Sequence, residues 1–127
     1  MLTTPAVPVS WGELLDKLTI LALKRDRIQS PSARANVERE HAALAPIAAP
    51  ALGVDGVAAL VADLTRVNEA LWVIEDDIRA EDAAGRFGDA FVALARAVYR
   101  TNDERAAIKR RINDLLGSDL VEEKSYR

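Results

Sequence analysis

The chain has 127 residues, with 17 Lys plus Arg against 20 Asp plus Glu, one His and no Cys, for a formal net charge of −3. The missing cysteines exclude disulfide frameworks, thiolate zinc sites and cysteine nucleophiles, and a single imidazole, His41, excludes His-rich metal centres. A slightly acidic balance argues against a nucleic-acid binder that draws its affinity from phosphate neutralisation, and half the residues being hydrophobic is the composition of a globular chain.

Residues 1–10 contain Pro5 and Pro8 but neither a basic n-region nor a long apolar stretch, which predicts an extended strap and no targeting signal. No window approaches ~18 uninterrupted apolar residues, so the sequence predicts no membrane span and a cytoplasmic location. The length suits one domain over 1–127.

From Ser10 onward the periodicity is helical. Ser10-Trp11-Gly12-Glu13 reads as a capping box, in which Ser10 accepts the Glu13 N–H and the Glu13 carboxylate returns to the Ser10 backbone. Behind it Trp11, Leu14, Leu18, Leu21 and Ile28 form the apolar stripe of a first helix over about 11–29. Ser30-Pro31 ends that helix and starts a second, since proline suits a first turn. Ala33, Val37, Glu40 and Leu44 give this second helix a thin apolar face, and Pro46, Pro50, Gly53 and Gly56 predict an irregular connection after Ala45.

Asp55 is the expected N-cap of a third helix buried through Val57, Leu60, Val61, Leu64, Val67, Leu71, Trp72 and Ile78, which ends at about Ala84 with Gly85 as its cap. Gly85-Arg86-Phe87-Gly88 turns the chain. Asp89 then caps a fourth helix carrying Phe91, Leu94, Val98, Ile108, Ile112 and Leu116 inward, closed by Gly117. A short connection leaves two long helices no option but to pack against each other. The expected fold is all-α: an antiparallel bundle of three long helices plus one shorter helix, with an N-terminal strap and a C-terminal tail over 118–127.

Several polar residues fall inside the apolar stripes: Arg25 on the first helix, Asn68 and Glu75 on the third, Asn102, Arg105 and Lys109 on the fourth. Folding the chain about its turn sets Asn68 opposite Arg105, Leu71 opposite Asn102, and Glu75 within a turn of Asn102. Buried charge is costly unless paired and hydrogen-bonded, so one reading of this layer is a satisfied network that fixes helix register. The other is a pocket in which Arg25, Asn68, Trp72, Glu75, Asn102, Arg105 and Lys109 meet a small anionic or sugar-like ligand.

Glu13 and Asp16 share a face at i,i+3, and Glu75 and Asp76 lie in an acidic run, so these four are the candidates for a Mg²⁺ site. His41, beside Glu38 and Glu40, reads as a solvated histidine, and Lys109-Arg110-Arg111 as a solvated helix end. No Gly-rich phosphate loop or catalytic triad order is present.

The stretches Ser10-Trp11-Gly12-Glu13-Leu14-Leu15-Asp16-Lys17, Asn68-Glu69-Ala70-Leu71-Trp72-Val73-Ile74-Glu75-Asp76-Asp77-Ile78-Arg79, Asn102-Asp103-Glu104-Arg105-Ala106-Ala107-Ile108-Lys109 and Glu122-Glu123-Lys124-Ser125-Tyr126 resemble the signature blocks of a small bacterial family of helical proteins of unknown function. The resemblance spans nearly the whole chain. It implies a link to cell-surface polysaccharide, and its motif residues include most of the inward polar positions.

The function expected from these features is a non-catalytic helical binding or assembly module without a cofactor, acting through the polar layer or by pairing with another copy or protein. The alternative is a Mg²⁺-dependent all-α hydrolase of the nucleotide pyrophosphatase type, with Glu13, Asp16, Glu75 and Asp76 on the metal and Arg105 or Lys109 on phosphate. Neither reading involves nucleic acid or membrane.

Overall fold

The computed structural model describes residues 1–125, and Tyr126 of the last block lies outside the described residues. Among the described residues the regular structure is four helices and no strand: α1 (Trp11–Arg27), α2 (Pro31–Leu52), α3 (Val57–Ala83) and α4 (Asp89–Leu116). Among the described residues no helix is long and apolar enough to cross a membrane.

Helix α1 begins where its cap predicts. The Ser10 hydroxyl accepts the Glu13 N–H at 3.1 Å, satisfying one of the orphan donors of the first turn. The second half of the expected box does not form, because the Glu13 carboxylate instead meets Lys109 of α4 at 2.7 Å. A charged partner gives a carboxylate a stronger hydrogen bond than its own backbone can.

Helix α2 differs from expectation. It runs 22 residues, longer than the 17 of α1, and continues through Pro46 and Pro50 to Leu52. Each proline removes a backbone donor and frees a carbonyl, but both rings are exposed, on the face turned to solvent, where water can take the freed groups. On the opposite side Ala48 and Ala51 are buried, with Leu44 packed against the core. Tertiary packing therefore holds a helix that local propensity would end at Ala45.

Backbone geometry also shifts the expected caps by a residue. Gly56, at φ +88°, stands at the N-cap of α3 in place of Asp55, and Gly88 at that of α4 in place of Asp89. Asp89 becomes the first residue of α4, where its charge favours the helix dipole. Ala84 caps the end of α3, and Gly85, at φ +70°, follows it. The Gly85 N–H donates to the Asp82 carbonyl and the Arg86 N–H to the Glu81 carbonyl, a Schellman pattern. Gly117, at φ +65°, closes α4 as expected.

The core consists of Leu14 and Leu15 from α1, Ala48 from α2, Val57, Leu64, Val67 and Leu71 from α3, and Ile108 and Ile112 from α4. Helix α1 is central, because α2 covers one side while α3 and α4 cover the other. It accordingly buries Gly12, Leu15, Asp16, Thr19 and Leu23 in addition to the expected Leu14 and Leu21. Along α1 from Gly12 to Asp16 the partners on α4 descend from Asn113 to Arg105.

Beyond Leu71 the interior thins. Arg27, at the end of α1, lies 5.5 Å from the centroid of the Trp72 ring, and from 72 to 107 no side chain is fully buried.

Candidate functional site

Asp16, 1% exposed, is the centre of the polar layer. Its Oδ2 accepts two hydrogen bonds from Arg105 of α4, from Nε at 2.9 Å and Nη2 at 2.7 Å. Its Oδ1 accepts from Asn68 Nδ2 of α3 at 2.9 Å. The same Asn68 amide donates to Thr19 Oγ1 at 2.9 Å, and that hydroxyl donates to the Asp16 carbonyl at 2.7 Å. One carboxylate thus joins three helices.

Lys109 stands one turn further along α4, its side chain 8% exposed. Its Nζ donates to Glu13 at 2.7 Å and to Glu122 of the C-terminal tail at 2.9 Å, and lies 3.8 Å from Asp16 Oδ2. Burial alone would depress this ammonium's pKa, but hydrogen bonds to Glu13 and Glu122, with the charges of Glu13 and Asp16, outweigh it and hold the pKa above the ordinary lysine value. The hydrogen bond and charge of Lys109 hold the Glu122 carboxyl below its ordinary range. Lys109 is therefore an anchored buried cation, not the solvated helix end expected from its sequence; Arg110 and Arg111 are exposed.

A turn beyond, the Gly12 N–H donates to Asn113 Oδ1 of α4 at 2.7 Å and the Trp11 N–H to Ser118 Oγ, just past the end of α4, at 3.0 Å, so both take up first-turn donors of α1. Among the described residues no buried side-chain polar atom lacks a partner. The layer is therefore a satisfied network at its base.

Its outer edge opens into a cleft of about 370 Å³ between α1, α3 and α4. Ile20, Leu23, Leu71 and Trp72 supply apolar wall, while Lys24, Asn68, Glu75, Asp76, Asn102 and Arg105 supply polar groups. Arg105 connects the two parts, because its Nε and Nη2 hold Asp16 below while its Nη1 lies 3.5 Å from Asn102 Oδ1 at the cleft. Glu75 pairs with Arg79 at 3.3 Å.

Of the expected pocket residues, the structure brings Asn68, Trp72, Glu75, Asn102 and Arg105 to this cleft. Arg25 does not line it and is half-buried, because the preceding α1 position, Lys24, is the one at the cleft. Lys109 belongs to the network below and to an adjoining basin, away from the cleft. The four acids proposed for Mg²⁺ do not form one cluster: Glu13 and Asp16 surround Lys109, while Glu75 and Asp76 line the cleft. Among the described residues no three His, Cys, Asp or Glu side chains group so as to hold a metal ion. His41 is half-buried and lines a largely apolar hollow with Leu15, Leu18 and Ala45, rather than standing in solvent.

Gly12, Thr19 and Asn113 escaped the sequence reading as functional positions. Of these only Thr19 carries a signal, since Asp16, Thr19 and Leu23 follow at spacings of three and four, a second helical face beside the apolar one.

Fold and site together define a small all-helical protein built around a three-helix polar network with an open cleft at its edge. Residues 6–127 match a family of unknown function, DUF6165, and the chain belongs to that family. No curated protein and no solved structure matches it.

Proposed function

We propose that this chain is a non-catalytic helical binding module, an antiparallel bundle that holds a small hydroxylated or anionic ligand in the cleft between α1, α3 and α4. The observation that carries this reading is the composition of the cleft. An indole beside two carboxylates, two amides, an ammonium and a guanidinium, in about 370 Å³, offers an aromatic face for the C–H side of a sugar ring and polar partners for its hydroxyls or an acidic group. Two of its charged groups are held in ion pairs, Arg105 to Asp16 and Glu75 to Arg79, which suits positioning more than proton transfer. The family resemblance extends the proposal to a ligand from cell-surface polysaccharide chemistry in a bacterial cytoplasm.

Trp72 provides the readout. In a Trp11→Phe background, a panel of sugar phosphates and nucleotide sugars should yield a compound that changes Trp72 fluorescence saturably and raises the melting temperature. Asn102→Ala should weaken that compound without lowering the stability of the free protein. If no member of the panel changes either signal, the cleft is not a sugar or anion site.

A second reading, pairing with another copy, rests on the far end of the α3–α4 hairpin. Val73, Phe87, Val92 and Tyr99 are exposed there, and Phe87 stacks edge-on against Phe91 with centroids 5.2 Å apart. A second copy would cover these groups in place of α1, which ends short of them. Light scattering should then show a dimer mass that Val92→Glu reduces to a monomer. A monomer at every concentration rules this reading out.

A further inference from the structure

The C-terminal tail is attached to α4 by charge. Glu122 accepts from Lys109 at 2.9 Å, Glu123 accepts from Arg110 at 3.1 Å, and Lys124 lies 3.9 Å from Asp103. Leu120 and Val121 remain exposed, so little apolar surface holds the segment down. A contact made of ion pairs can be exchanged for another ion of the same sign, whereas one made of buried hydrocarbon cannot.

Beneath the tail lies a polar basin of about 140 Å³, lined by Asn102, Arg105, Ala106, Lys109, Glu122 and Lys124. The ammonium of Lys109 is presented there by a buried side chain fixed from behind by Glu13 and Asp16. Fixing a cation in this way spares an incoming anion the entropy of ordering a long side chain. The Glu122 carboxylate, with its side chain still 49% exposed, fills the outer coordination of that ammonium. When it swings out, Lys109 loses one of its carboxylate partners, and its ammonium lines the basin with Arg105 and the Asn102 amide.

We propose that this basin is an anion-binding subsite for a phosphate group, and that Glu122 is its built-in competitor, a carboxylate of the chain's own that occupies the phosphate position until phosphate displaces it. The subsite does not depend on the cleft. The two share Asn102 and Arg105, however, so a sugar phosphate could place its ring in the cleft and its phosphate on Lys109 as a single molecule.

Titration of the full chain with inorganic phosphate, followed by amide chemical shifts, tests the proposal. Saturable shifts are expected at Arg105, Lys109 and Glu122. Glu122→Gln keeps the size of the side chain and removes the competing charge, and should tighten phosphate by about fivefold to tenfold, the discounted worth of one half-exposed charge-assisted pair. Arg111→Ala, an exposed cation that does not line the basin, should leave the affinity unchanged. A hexose 1-phosphate titrated in parallel separates the sources of the group. Equal affinity assigns the basin to free phosphate, and tighter binding that Trp72→Ala abolishes assigns it to an ester. Phosphate affinity unaltered by Glu122→Gln, or shifts confined to other residues, would overturn the proposal while leaving the cleft reading standing.

Discussion

Replacing Asp16 with alanine should cost about 3–5 kcal/mol of unfolding free energy, the usual consequence of removing one partner from a buried charge pair. The loss is large because Asp16 serves three helices at once. Arg105 loses both hydrogen bonds to Oδ2, Asn68 loses one of its two acceptors, and Lys109 loses a nearby negative charge. Asp16→Asn separates charge from shape. It keeps the volume but places an amide where one oxygen accepted from a guanidinium, so it too should destabilise by several kcal/mol. Urea denaturation at constant m gives the measurement. A double-mutant cycle with Arg105→Gln should show strong coupling, because once either partner is gone the other has little left to lose. A cost under about 1 kcal/mol for Asp16→Asn, or additive effects in the cycle, would show that the pair does not organise the fold.

Gly12→Ala carries the second large effect, and its sign is the unusual part. In most helices this substitution stabilises, because glycine is roughly 1 kcal/mol worse than alanine in a helix interior. Here a Cβ would stand 2.5 Å from the Lys109 carbonyl oxygen and 2.9 Å from Asn113 Oδ1. The first of these is backbone and has no rotamer to escape into. Helix α1 must therefore move away from α4, stretching the Gly12–Asn113 hydrogen bond and the Lys109 contact with Glu13. The expected net loss is about 3 kcal/mol, at the upper end for overpacking, measured by the same denaturation. A melting temperature equal to or above that of the unmodified chain would mean that the two helices tolerate separation.

These two residues also show what sequence reasoning can reach. The helices, their order and the turn at 85–88 were legible because period and punctuation are local signals. The meeting of Asn68 and Arg105 was legible too, since a short turn fixes which positions along two helices are level. They do not touch each other directly, as they are joined through Asp16, which from sequence alone is one of four candidate acids for a metal. An acidic i,i+3 pair looks the same whether it faces water, a cation or an arginine, and only the arrival of α4 distinguishes these cases. Gly12 carried no signal of its own, because a close approach between helices is a property of two segments. The continuation of α2 through Pro46 and Pro50 was illegible for the same reason, since it depends on Ala48 and Ala51 finding a core to enter. In the cleft, Trp72, Glu75 and Asn102 follow from register, but Lys24 lines it where Arg25 is expected, because a helix turns 100° per residue.

The short reach of α1 has a further consequence. Its 17 residues end beside Trp72, whereas α3 and α4 continue through 27 and 28 residues, so among the described residues the last turns of the hairpin are held by each other. Two helices without a third layer form a weaker cooperative unit than the three-helix base, and such units open locally while the rest stays folded. The cleft straddles that boundary: Asn68 and Leu71 belong to the rigid base, and Glu75 and Asn102 to the yielding end. Whatever spans the cleft would splint one part to the other, so occupancy would be felt as slower breathing of the distant hairpin tip.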